Sequence, residues 1–158
     1  MVIGAHRAPS SSNGSGNNYN DPAVSVCFTV KIDGQDLGSF MSCEGLSFEV
    51  EVEQREEGGN NDFVHQLPGR LKYSNVKFTR PVNADSEKLA RWFASLTHPI
   101  KRTQAEICAM SAKEEVVAQW SLTGVIPVKW SGPSMSLDGA KVATETLEIA
   151  HHGFLART

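Results

Sequence analysis

Cysteine is scarce: Cys27, Cys43 and Cys108 are odd in number and far apart, with no C-x-x-C pair. That pattern excludes a regular disulfide framework and the common zinc modules, and reduced thiols fit a protein made in the cytoplasm. Long apolar runs are missing too. Nothing approaches the roughly 18 apolar residues that cross a bilayer as a helix, and the start from Met1 to Arg7 lacks the apolar stretch of a secretion signal. Net charge is only -3, which supplies no basic footprint for nucleic acid. These absences argue against membrane and nucleic-acid partners.

Catalytic signatures are equally thin. Neither G-x-x-x-x-G-K-[ST] nor G-x-S-x-G occurs. Gly58-Gly59 is not followed by a helical pattern whose N-terminus would hold phosphate. His151 and His152 are neighbours on a predicted strand, so they point to opposite faces and converge poorly on one metal ion. No enzyme activity, cofactor or metal site is expected.

What is present is β pattern. The 158 residues, 40% of them hydrophobic, suffice for one ordinary domain. Residues 1–21 are rich in Ser, Gly and Asn and lack the apolar surface that offsets the entropy of ordering, which predicts a disordered tail before a folded unit of residues 22–158. Val24, Val26, Phe28, Val30 and Ile32 alternate with polar residues as in a half-buried strand, and Asp33-Gly34 signals a turn. Ser47 to Glu53 repeats the device, with Phe48, Val50 and Val52 expected inward and Glu49, Glu51 and Glu53 toward water.

Glu56 to Gly69 reads as a long projecting loop. Arg70 to Arg80 reads as a strand whose apolar parity changes near Ser74-Asn75, as a bulge there would cause. Asn83 to Thr97 is the one clear helix: Leu89, Trp92, Phe93 and Leu96 recur at helical spacing as its core anchors, with Asp85 the expected N-cap. Trp120 and Trp130 are expected in the core beside Trp92. Further strands are expected at Gln104 to Met110, Val116 to Leu122, Val125 to Trp130 and Val142 to His151. The resulting fold class is mainly β, an antiparallel sandwich or barrel of about seven strands with one helix packed outside.

Several strings, in order, resemble the tail tube family shared by contractile phages and extracellular contractile injection systems. They include Phe28 to Gly34, Gly38-Ser39-Phe40, Cys43-Glu44-Gly45-Leu46, Arg55 to Asn60, Leu67-Pro68-Gly69, Tyr73 to Val76, Leu89 to Trp92, Pro127 to Pro133 and Glu145 to Phe154. The resemblance implies a small β-sandwich with one helix, similar also to the haemolysin-coregulated protein, whose hexameric rings stack into a tube. Implied partners are further copies of the chain, a contractile sheath, baseplate and tube-terminating proteins, and protein cargo in the lumen. Assembly would occur in the bacterial cytoplasm.

In such a ring, Glu49, Glu51 and Glu53 are candidates for a hydrophilic channel wall, a solvated outer face being the ordinary alternative. Arg55, Glu56, Glu57, Gly58, Gly59, Asn60, Asn61, Asp62, Leu67, Pro68 and Gly69 are candidates for an intersubunit contact, the alternative being a mobile surface loop. A baseplate or tube-initiation ring of the same family, its tail touching another component, is the second reading. An unrelated β-sandwich binding module is the third.

Overall fold

A computed structural model describes residues 27–56, 58–59, 64–133 and 142–155. The expected tail, the strand start at Val24 to Val26, and Glu57, Asn60, Asn61 and Asp62 lie outside the described residues. Ten strands and one helix follow in the order β1 (Cys27–Ile32), β2 (Gln35–Phe40), β3 (Ser42–Glu44), β4 (Phe48–Arg55), β5 (His65–Tyr73), β6 (Val76–Pro81), α1 (Ser86–Ser95), β7 (Thr103–Met110), β8 (Val116–Ser131), β9 (Thr144–Ala150) and β10 (Gly153–Leu155).

The fold is mainly β, with antiparallel pairing throughout and one helix. One sheet runs β2-β1-β7-β8-β9-β6-β3, with β10 added beside β8. It bends into two leaves because β8 is 16 residues long and serves both. Its first part, to Val125, pairs with β7, and its end, from Ile126, pairs with β9 across a register shift between Pro127 and Lys129. The opposite corner is the single residue Met41, which joins β2 in one leaf to β3 in the other. β2 and β3 are consecutive and unpaired with each other, so the barrel stays open.

The expected pair of strands at Val116 to Leu122 and Val125 to Trp130 is therefore one strand. Gly124 looks like a turn signal but only bends the chain, and β10 pairs beside it through Gly153 and Thr123. β2 escaped the period-2 pattern for a similar reason. Its register slips between Thr29 and Lys31, placing Leu37 and Gly38 opposite Val30. That bulge turns both Leu37 and Phe40 inward.

The core gathers Val30, Ile32, Phe40, Phe78, Ile107 and Leu147 between the leaves, and α1 adds Leu89 and Trp92. Phe93, Leu96 and Trp120 are partly buried against it. Trp130 departs from expectation: it is 42% exposed, since it sits at the sheet rim over Phe93. Asp85 holds the N-cap position without a side-chain cap bond. Its carboxylate instead pairs with Lys88 at 2.9 Å, and that pairing holds its pKa below the usual carboxylate range.

One buried polar knot ties the leaves to the helix. Arg80 on β6 and Glu145 on β9 are each 1% exposed, and Arg80 Nε donates to Glu145 Oε1 at 2.5 Å. The other guanidinium nitrogens donate to the carbonyls of Leu37 (2.7 Å) and Asp85 (2.9 Å), and the group lies over the Phe40 ring. Ser86 Oγ donates to Glu145 Oε1 and Trp130 Nε1 to Glu145 Oε2. Both charges are thus compensated from several elements, the condition for holding an ion pair in a low dielectric.

Candidate assembly interface

The Ser47 to Glu53 segment does form a strand, but its apolar side is not inward. Among the described residues β4 pairs only with β5, as a separate two-stranded sheet that stands off the body as an arm. Phe48 is 61% exposed, Val50 40%, Val52 52% and Leu71 on β5 53%. Alternation reports which residues share a face; whether that face is covered depends on what is packed against it. Among the described residues, Phe154 of β10 touches the Phe48 end of this face, and Val50, Val52 and Leu71 stay exposed.

The expected long loop is also shorter than Glu56 to Gly69. Leu67, Pro68 and Gly69 belong to β5, with Leu67 paired to Glu53 and Pro68 to Val52. Arg55 ends β4 opposite His65, and Glu56, Gly58 and Gly59 lie at the tip. Loop residues and strand residues look alike there because Pro68 and Gly69 are breakers elsewhere. In this arm they occupy a bulge: Val50 faces Leu71 and Val52 faces Pro68, which leaves Gly69 and Arg70 opposite Glu51. The parity change near Ser74-Asn75 is likewise no bulge within one strand. It is the break between β5 in the arm and β6 in the body.

The two faces of the arm differ in chemistry. Phe48, Val50 and Val52 share one face with Tyr73 and Leu71. Glu49, Glu51 and Glu53 share the other, where Lys72 lies opposite Glu49 and forms an ion pair with Glu51. That pairing raises the Lys72 pKa above its usual value, chiefly through its hydrogen bond to Glu51. Glu49 and Glu53 stay exposed. The arm thus presents an uncovered apolar face backed by a charged one.

What the residue pattern missed is the joint. At Gly45, with φ +90°, a Cβ would overlap the Asn75 carbonyl oxygen, so only glycine permits the two chains to cross there. Nearby Cys43 is half-buried, and burial, with Glu44 adding to it, pushes its thiol up to about 12. Among the described residues no group of three His, Cys, Asp or Glu side chains is arranged to hold a metal. Helices long and apolar enough to cross a membrane are also absent among them.

A family model described as T4-like virus tail tube protein gp19 matches residues 24–155. The chain belongs to this tail tube family. Its fold is shared with solved structures at low identity. A chain of the sheath-tube complex of the PVC extracellular contractile injection system in its extended state superposes with TM-score 0.72 at 17% identity, covering 93% of this chain and 97% of that one. A chain of the anti-feeding prophage baseplate gives 0.67 at 20% identity, covering 87% and 96%. Hcp1 from Salmonella typhimurium gives 0.50 at 18% identity, covering 81% and 83%. A comparison with curated protein sequences returned no match. Tail tube membership displaces the reading as an unrelated binding module.

Proposed function

We propose that this tail tube protein is a structural, non-enzymatic subunit of the inner tube of a contractile injection particle, and that six copies close into rings that stack around a cargo channel. The observation that supports this is the arm. A two-stranded ribbon is marginal by itself in water, and its contiguous exposed apolar face is the mark of a surface that another chain covers. In a ring the neighbouring subunit supplies the cover. Glu49, Glu51 and Glu53 on the opposite face would then line the channel with carboxylates and keep passing protein from adhering. The arm tip, from Arg55 through Glu56, Glu57, Gly58, Gly59, Asn60, Asn61 and Asp62, would reach the adjacent subunit.

Sheath, baseplate and terminator proteins are the further partners of this reading, in keeping with the sheath-tube and baseplate assemblies that hold its structural neighbours. Assembly takes place in the bacterial cytoplasm, and residues 1–21 are a tail that the fold of residues 22–158 does not need.

A second reading, a baseplate or tube-initiation ring, is favoured by the likeness to a chain of the anti-feeding prophage baseplate. Negative-stain microscopy of the purified chain separates the two. Stacked rings support the tube subunit and isolated rings the initiation ring. Monomers at every concentration would sink both.

A further inference from the structure

The arm is tied to the body through very little. The β3–β6 ladder ends where Glu44 faces Lys77, and the β4–β5 ladder begins where Phe48 faces Tyr73. Between them lie three residues on each side, Gly45 to Ser47 on one and Ser74 to Val76 on the other. This short joint is held by the Ser74 N–H donating to the Ser47 carbonyl at 3.2 Å and by a bond between the two serine hydroxyls at 3.1 Å. Without other contacts the arm would swing freely.

Four rings close around the joint. Phe48 and Tyr73 belong to the arm, whereas His151 and Phe154 come from the β9–β10 connection and β10 in the body. Tyr73 is the hub, with ring centroids 5.5 Å from His151, 6.1 Å from Phe154 and 6.5 Å from Phe48. Phe154 also meets His151 at 5.3 Å and Phe48 at 6.5 Å. The buried His151 is itself fixed: Gly153 N–H donates to its Nδ1 at 3.2 Å, which leaves the proton on Nε2 to be donated to the Ser74 carbonyl at 3.1 Å. Through this one imidazole the body holds the joint backbone and the Tyr73 ring, while Phe154 reaches both arm rings.

We propose that these four rings are a latch that sets the angle of the arm in the free subunit, so that the arm meets a neighbouring copy already oriented. The consequence for assembly rests on the ring-forming reading, whereas the latch itself does not. An arm ordered before docking loses less conformational freedom on docking, and so binds at lower concentration. The latch is therefore an assembly control that acts through the joint and leaves the body's core untouched.

Hydrogen exchange of the full-length chain in dilute, unassembled form tests the latch without reference to rings. Tyr73→Ala is expected to speed exchange of the β4–β5 ladder amides by about tenfold and to leave the β1, β7 and β8 amides at wild-type rates. Tyr73→Phe, which keeps the ring, should restore protection. Phe48→Ala is the companion variant, because Phe48 is exposed and its loss does not threaten the core. Arm exchange unchanged in Phe48→Ala, or an equal rise throughout arm and body in Tyr73→Ala, overturns the latch. Where wild type forms rings, Tyr73→Ala should also raise the concentration they require. A wild type that forms no rings would refute the tube reading and leave the exchange result to decide the latch.

Discussion

The body and the arm are written in the same alphabet and end in opposite states. β9 reads Thr144-Glu145-Thr146-Leu147-Glu148-Ile149-Ala150 and buries Leu147 and Ile149 completely. β4 reads Phe48-Glu49-Val50-Glu51-Val52-Glu53 and leaves all three of its apolar residues exposed. The difference lies in neighbours: β9 sits between β6 and β8 with the other leaf above it, whereas β4, among the described residues, has β5 as its one strand partner. An alternating strand declares that one side is to be covered and says nothing of which chain will do so.

The sharpest way to probe that contrast is to cut the knot that holds the body. Glu145→Ala strands the Arg80 guanidinium in the core and is expected to cost about 3–5 kcal/mol in urea unfolding. A cost below about 1 kcal/mol would mean that water reaches Arg80, and the account of the knot would fail.

A matched pair of truncations comes next. Leu147→Ala should cost about 2–5 kcal/mol, as buried leucines do. Leu71→Ala on the arm should change monomer stability by under about 0.5 kcal/mol, the range of surface substitutions. Similar losses from both would erase the distinction between body and arm.

At the arm tip, Gly59 has φ +107° and open space where a Cβ would point, so Gly59→Val meets no clash and only a backbone penalty of about 1–2 kcal/mol. Circular dichroism should match wild type while ring formation weakens. Undiminished stacked rings would show the tip to be decoration.

The smallest effect is expected at Asp85. Its pKa is held low by Lys88, so its share of stability is complete above the ordinary carboxylate pKa of about 3.9 and disappears as pH falls through the lower folded value. Asp85→Asn should therefore destabilise slightly at pH 6 and be indistinguishable from wild type near pH 2. A loss that persists undiminished in acid would point to the backbone contacts around Ser39 and Gly38 instead of the ion pair.

The mainly β class, the helix with Leu89 and Trp92 inward, the Asp33-Gly34 turn and the tail tube resemblance were legible in the residues, because each rests on local periodicity or short strings. β2 was not, since a bulge at Leu37 and Gly38 breaks its alternation. Pro68 and Gly69 disguised β5 as a loop, and Gly124 disguised one long strand as two. At the candidate site, the alternation of Phe48, Val50 and Val52 with Glu49, Glu51 and Glu53 was visible, but their exposure was not.

By itself, then, the chain determined which residues share a strand face, where its one helix runs and which family it belongs to. Those are properties of neighbours in sequence, where side-chain period and turn chemistry act over a few residues. Tertiary structure alone decided that β8 serves two leaves, that Arg80 meets Glu145 across the core, and that Gly45 presses against Asn75. It also decided that Tyr73 meets His151 and Phe154 at the base of an uncovered arm. Each of these joins residues distant along the chain, and burial is a property of what packs above a face, which no local pattern contains.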